Sequence, residues 1–276
     1  MDRHMSAEST RLLVVGAHPD DPDLKAGGLA ALYARLGNEV RFLAMTDGGA
    51  GHHELTPERL IERRRAEARA AAAVIGIEYR ILNNPDGELE PTLDTRRELI
   101  REIRAYDPDL LLTHRPADYH PDHRYTAQLV RDSAYMVTVP HICPDTPALR
   151  RDPVIGYLPD TFERPVPYTP HVVFSIDEVI EDKLEMLHQH ESQMYEWLPY
   201  NRGISNQVPD GADRRRAWLE EDRLPSMRDI ADRYRDVLTD RYGHDRADGV
   251  EYAEAVEISE YGSDLTEEAA EELFPF

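Results

Sequence analysis

Leu12-Leu13-Val14-Val15-Gly16-Ala17-His18-Pro19-Asp20-Asp21 is the stretch from which the fold is read. Four apolar residues run into Gly16 and Ala17, and four polar or rigid residues follow at once. A short apolar run bounded by Gly and Pro predicts a strand buried on both faces. Open α/β sheets place their ligands just beyond the carboxyl ends of such strands, which is where His18, Asp20 and Asp21 fall. Pro19 fixes its own φ and keeps His18 out of the α region, so the turn is stiff. Far downstream a second cluster, Asp118-Tyr119-His120-Pro121-Asp122-His123, repeats the His-Pro-Asp pattern. Two such clusters on strand-to-helix turns point to one metal site assembled from both.

Outward from the first strand, Leu24 to Leu36 has helical spacing and is closed by Gly37, with Gly27 and Gly28 where helix and sheet approach closely. Glu39 to Met45 predicts a second strand, followed by the flexible loop Thr46 to His53 in the position of a pocket wall. Thr56 and Pro57 open a helix that ends near Gly76. Ile77 to Leu82 is a third strand, Asn83 to Gly87 a turn, Leu93 to Tyr106 a helix and Leu110 to Thr113 a fourth strand. This alternation predicts an α/β fold: a Rossmann-like parallel sheet with helices on both faces, plus a C-terminal helical extension.

The second half is less regular. His120 caps a helix from Pro121 to Val137. Residues 140 to 170 hold eight prolines and are expected to be loop, broken by a short strand at Val154 to Tyr157 and bordering the pocket. His171 to Ile176 is a strand, and Asp177 caps a helix from Glu178 to Tyr195. After the loop Asn201 to Gly211, two charged helices are expected, Ala212 to Asp222 and Ser226 to Tyr242. The acidic tail from Gly262 is expected to fray. With no internal repeat and no long linker, residues 1–276 form one domain, with 196–245 as a variable helical insertion within it.

Composition narrows the function. The 276 residues carry a formal charge of −22, and the basic side is almost all Arg, with Lys only at positions 25 and 183. Such a surface repels phosphate backbones and anionic lipid, which argues against nucleic-acid and membrane partners. The excess of acid fits either a salt-loving source or a GC-rich genome, and we expect some salt tolerance because screening relieves self-repulsion. No apolar run reaches the roughly 18 residues of a membrane helix. Met1 to Thr10 is polar, without the apolar core of a signal peptide, so a cytoplasmic location is expected. Cys143 is the single cysteine, which excludes an internal disulfide and any Cys-rich zinc module. Oligomeric state, homo-oligomer included, is not encoded in these patterns.

Catalytic zinc takes three protein ligands and leaves a position for water. His18 and Asp21, three apart across a tight turn, can face one point, and His123 is the natural third ligand. Two imidazoles and a carboxylate suit Zn²⁺, with Fe²⁺, Co²⁺ and Ni²⁺ chemically admissible. The competing reading is that each motif merely caps its helix.

Ala17-His18-Pro19-Asp20-Asp21 with Tyr119-His120-Pro121-Asp122-His123 resembles the LmbE-like (PIG-L) family of zinc-dependent N-acetyl deacetylases. Further matches are Thr46-Asp47-Gly48, Arg64 with Glu67, Asp86-Gly87, Lys183 with His190-Glu191-Ser192-Gln193, and Gly249 to Ala255. One departure is visible: acidic residues usually continue the first motif, whereas here Pro22 precedes Asp23. The resemblance implies that His18, Asp21 and His123 hold zinc and that Asp20 is the general base on water. It implies that His120 stabilises the oxyanion or protonates the leaving amine. Asp122 is either a partner orienting a histidine or a first-turn charge favourable to the helix dipole. Arg64 and Asp86 match positions that contact the sugar; the alternatives are an Arg64 pair with Glu62 or Glu67 on a solvated face and an ordinary turn residue at 86. His52 and His53 are expected in a solvated glycine-rich loop, and His188 and His190, two apart on a helix, do not form a ligand pair.

The implied reaction is hydrolysis of an N-acyl group, acetyl first, from an N-acetylated amino sugar or glycoconjugate, the partner being a small-molecule amide. The alternatives are an amidase cleaving a larger amide conjugate and a non-haem iron oxygenase using the same two-His-one-carboxylate set. Against the oxygenase, those sites carry His-x-Asp on β-barrel strands. A nucleotide-binding module is disfavoured because Ala17 and His18 stand where a Gly-rich phosphate cradle belongs. A non-catalytic carbohydrate-binding role leaves Asp20 beside a full ligand set unexplained.

Overall fold

Strand and helix alternate through the first half as the apolar periodicity predicts. A computed structural model describes residues 9–276; residues 1–8, and with them most of the polar N-terminal stretch read above, lie outside the described residues. In order come β1 (Arg11–Gly16), α1 (Asp21–Arg35), β2 (Glu39–Thr46), α2 (Pro57–Ile75), β3 (Glu78–Asn84), α3 (Leu93–Tyr106), β4 (Leu110–Thr113) and α4 (Pro121–Ser133). Then follow β5 (Val154–Tyr157), β6 (Val172–Ser175), α5 (Ile180–Gln189), α6 (Leu198–Asn201), α7 (Ala212–Arg233), α8 (Arg235–Tyr242), α9 (His244–Ala247), β7 (Ala253–Gly262) and α10 (Glu267–Leu273). Among the described residues no helix is long and apolar enough to cross a membrane.

The sheet has seven strands in the order β3-β2-β1-β4-β5-β7-β6. Chain order reverses between β1 and β4, so the carboxyl ends of these neighbours form the topological switch point. Leu12 and Val14 of β1 face a core shared with α1, α5 and α7, while Leu13 and Val15 face a second core under α3 and α4. Alternate residues of one strand thus serve opposite cores, which is why the run reads as continuously apolar.

Several expectations are corrected. The sheet is mixed: β7 runs antiparallel to both β5 and β6, which puts β6 in the common direction of the rest. β7 escaped the sequence reading because Glu254 and Glu257 interrupt its apolar pattern. The expected helix Glu178 to Tyr195 breaks at His190 and continues as a π-helical turn, Ser192–Trp197. Helix α4 ends at Ser133, and a 3-10 turn covers Tyr135–Thr138. Pro225 does not divide the late helices, since the buried face of Leu219, Met227 and Ala231 runs through it. The acidic tail does not fray: Thr266 caps α10, Leu273 and Phe274 are buried, and Tyr33 donates its hydroxyl to the Leu273 carbonyl at 2.5 Å.

The proline-rich segment splits into two parts. Arg104 of α3, buried, donates to six backbone carbonyls between Met136 and Thr146, so that part is scaffold. Arg115 instead binds Asp160 and the carbonyls of Phe162 and Val166. Phe162 lies 6.4 Å, centroid to centroid, from Tyr119, so this second part borders the pocket.

Candidate metal centre

All eight residues singled out in the sequence converge at the carboxyl ends of β1 and β4. Pro19 and Pro22 shape the first turn, and His18 donates its backbone N–H to Asp21 Oδ2 at 2.8 Å. His120 caps α4 through Nδ1, which accepts the Asp122 N–H at 3.2 Å. Both motifs therefore cap helices and also present their rings to one point; the two readings of them are not exclusive.

His18 Nδ1, Asp21 Oδ2 and His123 Nε2 form a nearly equilateral triangle. Its sides are 3.3 Å from His18 to Asp21, 3.3 Å from His18 to His123 and 3.4 Å from His123 to Asp21. Zinc–ligand bonds of about 2.0–2.1 Å at tetrahedral angles separate donor atoms by about 3.3–3.4 Å. The donor set and its spacing fit a tetrahedral divalent metal with one position left for a further ligand.

The surrounding carboxylates orient the donors. Asp118 Oδ1 lies 3.0 Å from His123 Nδ1 and also accepts the His120 N–H. That contact puts a proton on Nδ1 and leaves the Nε2 lone pair for the triangle. His18 Nε2 sits 3.1 Å from Asp86 Oδ1 and 3.3 Å from Asp122 Oδ2, between two acceptors and aligned on neither. Asp122 thus faces a histidine, and it is anchored by the Gly87 N–H at 2.7 Å. Burial alone would raise Asp86, but His18 and Arg64 outweigh it and hold this carboxyl at about 2. Burial likewise opposes charge on His123, and Asp21 with Asp118 overcomes it, lifting the imidazole to about 9. The field of the pocket favours positive charge at the triangle.

His120 behaves differently. Burial and the neighbouring His18 and His123 push its pKa down. With Nδ1 accepting at the cap, the neutral ring carries its proton on Nε2, the free edge. Asp20 accepts from Arg64 Nη2 at 2.7 Å through Oδ1, which leaves Oδ2 outside that ion pair. Arg64 is 2% exposed and also donates to the Gly48 carbonyl, so it does not pair on a solvated face. Gly48, at φ +73°, lets it in: a Cβ there would stand 2.9 Å from the guanidinium.

Three residues of the site were not singled out. Asp118 stood inside the quoted second motif with no role given to it. His114 follows β4 directly, the same signal that identified His18. Its ring stacks on His123 with centroids 4.0 Å apart, and its Nε2 accepts the Ala17 N–H. Burial and the charge of His123 lower His114 to about 4, so it stays neutral with its Nε2 lone pair already engaged. Arg115 holds the rim loop. The His52 loop is also less open than expected: the His52 side chain is 2% exposed and lies 2.9 Å from Glu196. His190 lies apart, fully buried beside Asp23, and His188 pairs with Tyr195.

Residues 13–134 match PIG-L, the GlcNAc-PI de-N-acetylase family. The chain is 29% identical over 209 residues to a diacetylchitobiose deacetylase of Thermococcus kodakarensis, covering 71% of this chain and 76% of that protein. It is 26% identical over 208 residues to a 4-oxalmesaconate hydratase of Pseudomonas putida, covering 72% and 80%. In fold it is similar to the N,N'-diacetylchitobiose deacetylase from Pyrococcus horikoshii, with a TM-score of 0.69 at 24% identity over 91% of this chain and 84% of that one. The stretch similar to the PIG-L (LmbE-like) family, residues 13–134, carries every donor atom of the centre.

Proposed function

We propose that the protein is a zinc-dependent hydrolase that removes the acetyl group from an N-acetylated amino sugar. The observation that carries this reading is the donor triangle of His18, Asp21 and His123, with Asp20 next to Asp21 in the chain and held by Arg64 through one oxygen only. A divalent metal there polarises the amide carbonyl and makes water more acidic. Asp20 takes the proton of the attacking water, and Arg64 holds that carboxylate by one oxygen so the other faces its task. His120 donates its Nε2 proton to the oxyanion or to the departing amine. Asp118, Asp86 and Asp122 fix the imidazoles of the triangle, and Asp86 and Arg64 border the place of the sugar. Two relatives named deacetylases support the choice of substrate. We place the protein in the cytoplasm, acting on small molecules, and treat 196–245 as the segment that varies with substrate.

The test pairs metal analysis with amine release from a panel of N-acetylated sugars. Free amine separates this reaction from that of the relative named a hydratase, because adding water to a double bond releases none. Asp20→Asn should keep its zinc and lose about 10²–10⁴ in turnover, the range of general-base removal. His120→Ala should resemble it, whereas His123→Ala should lose metal and activity together. If Asp20→Asn comes out metal-free, Asp20 is a ligand and the roles within Asp20-Asp21 are reversed. Near-normal turnover with metal retained would place the base elsewhere.

A further inference from the structure

The donor triangle has two flanks along the sheet. Arg64 and Asp86 approach it from the side of β2 and β3, whereas Tyr119 follows β4 and Phe162 follows β5. On the deacetylase reading the sugar lies against Arg64 and Asp86, so the acyl group of the amide points toward Tyr119 and Phe162. Tyr119 stands edge-on to His120 and His123, with ring centroids 5.7 and 5.4 Å away, and Phe162 lies 6.4 Å from Tyr119. Whatever fixes Phe162 fixes the space on that flank.

Phe162 belongs to a rim loop, residues 158–170, that forms neither helix nor strand. Side chains satisfy its carbonyls instead. Arg115 donates to those of Phe162 and Val166, and Lys25 Nζ donates to that of Pro159 at 2.8 Å. Behind the loop, a cleft of about 130 Å³ lies between Pro159, Asp160 and Thr161 on one side and Met227 and Ile230 of α7 on the other. A segment with room behind it and few packed contacts is held by its tethers.

Lys25 is the tether closest to the metal-binding turn. It stands four residues past Asp21 in α1, on the same face of the helix. Among the described residues it makes the one hydrogen bond from α1 to the rim loop. Lysine occurs only at positions 25 and 183, and Lys183, which lines the same cleft, is committed to Glu254. A compact ammonium on a long stem suits a single carbonyl, whereas the planar guanidinium fork suits paired oxygens.

We propose that Lys25 sets which acyl group the site accepts: by tying the rim loop to α1 it keeps Phe162 close to Tyr119 and the acyl space small. The identity of the amide rests on the N-deacetylase reading; the tether rests on Lys25. Lys25 is a positioning residue that acts through the loop.

The test reads acyl discrimination in two ways. Amine release from N-acetyl- and N-butyrylglucosamine by the zinc-loaded protein gives kcat and KM for each. Calorimetry gives the affinities of acetohydroxamate and butyrohydroxamate, which bind a metal through their two oxygens. The wild type should favour the acetyl member of each pair by about tenfold or more, the scale of excluding added methylenes. Lys25→Met keeps the stem and removes the donor. It should bring both ratios toward one by about tenfold, as expected for losing a hydrogen bond from a charged donor. The change should fall in KM for the butyryl sugar, with kcat for the acetyl sugar and zinc content retained. In the metal-free variant, backbone amides of residues 159–166 should exchange with deuterium about tenfold faster, the same free energy read at the loop. Phe162→Ala, with Lys25 intact, should relax discrimination in the same direction. An equal fall in kcat for both sugars in Lys25→Met would mark an effect of its charge on the metal and overturn the proposal. So would an unchanged hydroxamate ratio, unchanged exchange, or a wild type indifferent to acyl length. If neither sugar releases amine, the deacetylase reading falls, and the hydroxamate ratio with the exchange rates still decides the role of Lys25.

Discussion

Asp118 shows how much of the candidate centre depends on residues outside the donor triangle. It spans the His120 backbone and the His123 ring, so a single carboxylate fixes both the cap of α4 and the tautomer of a donor. Removing such a partner typically costs 10–100-fold in metal affinity. Asp118→Ala should therefore bind zinc more weakly by about that factor, measured by competition with a chromogenic chelator, while the fold is kept. Unchanged affinity would mean that packing against Tyr119 and His114 already orients His123. The sequence displayed Asp118 within the motif, but its role depends on where the ring nitrogens point, which residue order does not state.

Helix α1 carries a break that spacing does not reveal. Ala26 departs from helical geometry at φ −136° and ψ 15°. Past the break, the buried N–H groups of Gly28 and Leu29 donate to the two oxygens of Glu254 at 2.8 Å each. Glu254 of β7 thus acts as an N-terminal cap from another element, and Lys183 of α5 neutralises it at 2.6 Å. Gly28 permits the approach, since a Cβ there would meet Ile176 at 2.6 Å. Both members of the ion pair are 2% exposed. Glu254→Ala strands the Lys183 charge and two backbone donors, and should cost about 3–5 kcal/mol in urea unfolding. Lys183→Met should cost less, because Glu254 keeps its two N–H partners. A loss below about 1 kcal/mol for Glu254→Ala would show that water reaches the pair.

Over the whole molecule, acid exceeds base by 54 to 32, and the excess must be held within one folded volume. Raising ionic strength from about 0.1 to 1 M shortens the Debye length from about 10 to 3 Å. The same screening weakens the many exposed Arg–carboxylate pairs, but each of those contributes little. Net self-repulsion should dominate, so the melting temperature should rise with sodium chloride when the metal content is held constant. A flat or falling curve would assign the composition to genome bias alone.

The chain by itself determined the alternating first half and the two His-Pro-Asp turns that meet at the candidate centre. Those features are local: apolar runs of four residues, Gly and Pro at the boundaries, and His-Pro-Asp spacings of three. Tertiary structure decided everything that joins distant segments. It wedged β7 antiparallel into the sheet despite its glutamates, because Glu254 is neutralised by Lys183 and by backbone N–H groups from α1. It divided the proline-rich segment between Arg104 and Arg115, two arginines that look alike in sequence. In each case a buried charge obeys its partners, and those partners come from elsewhere in the chain.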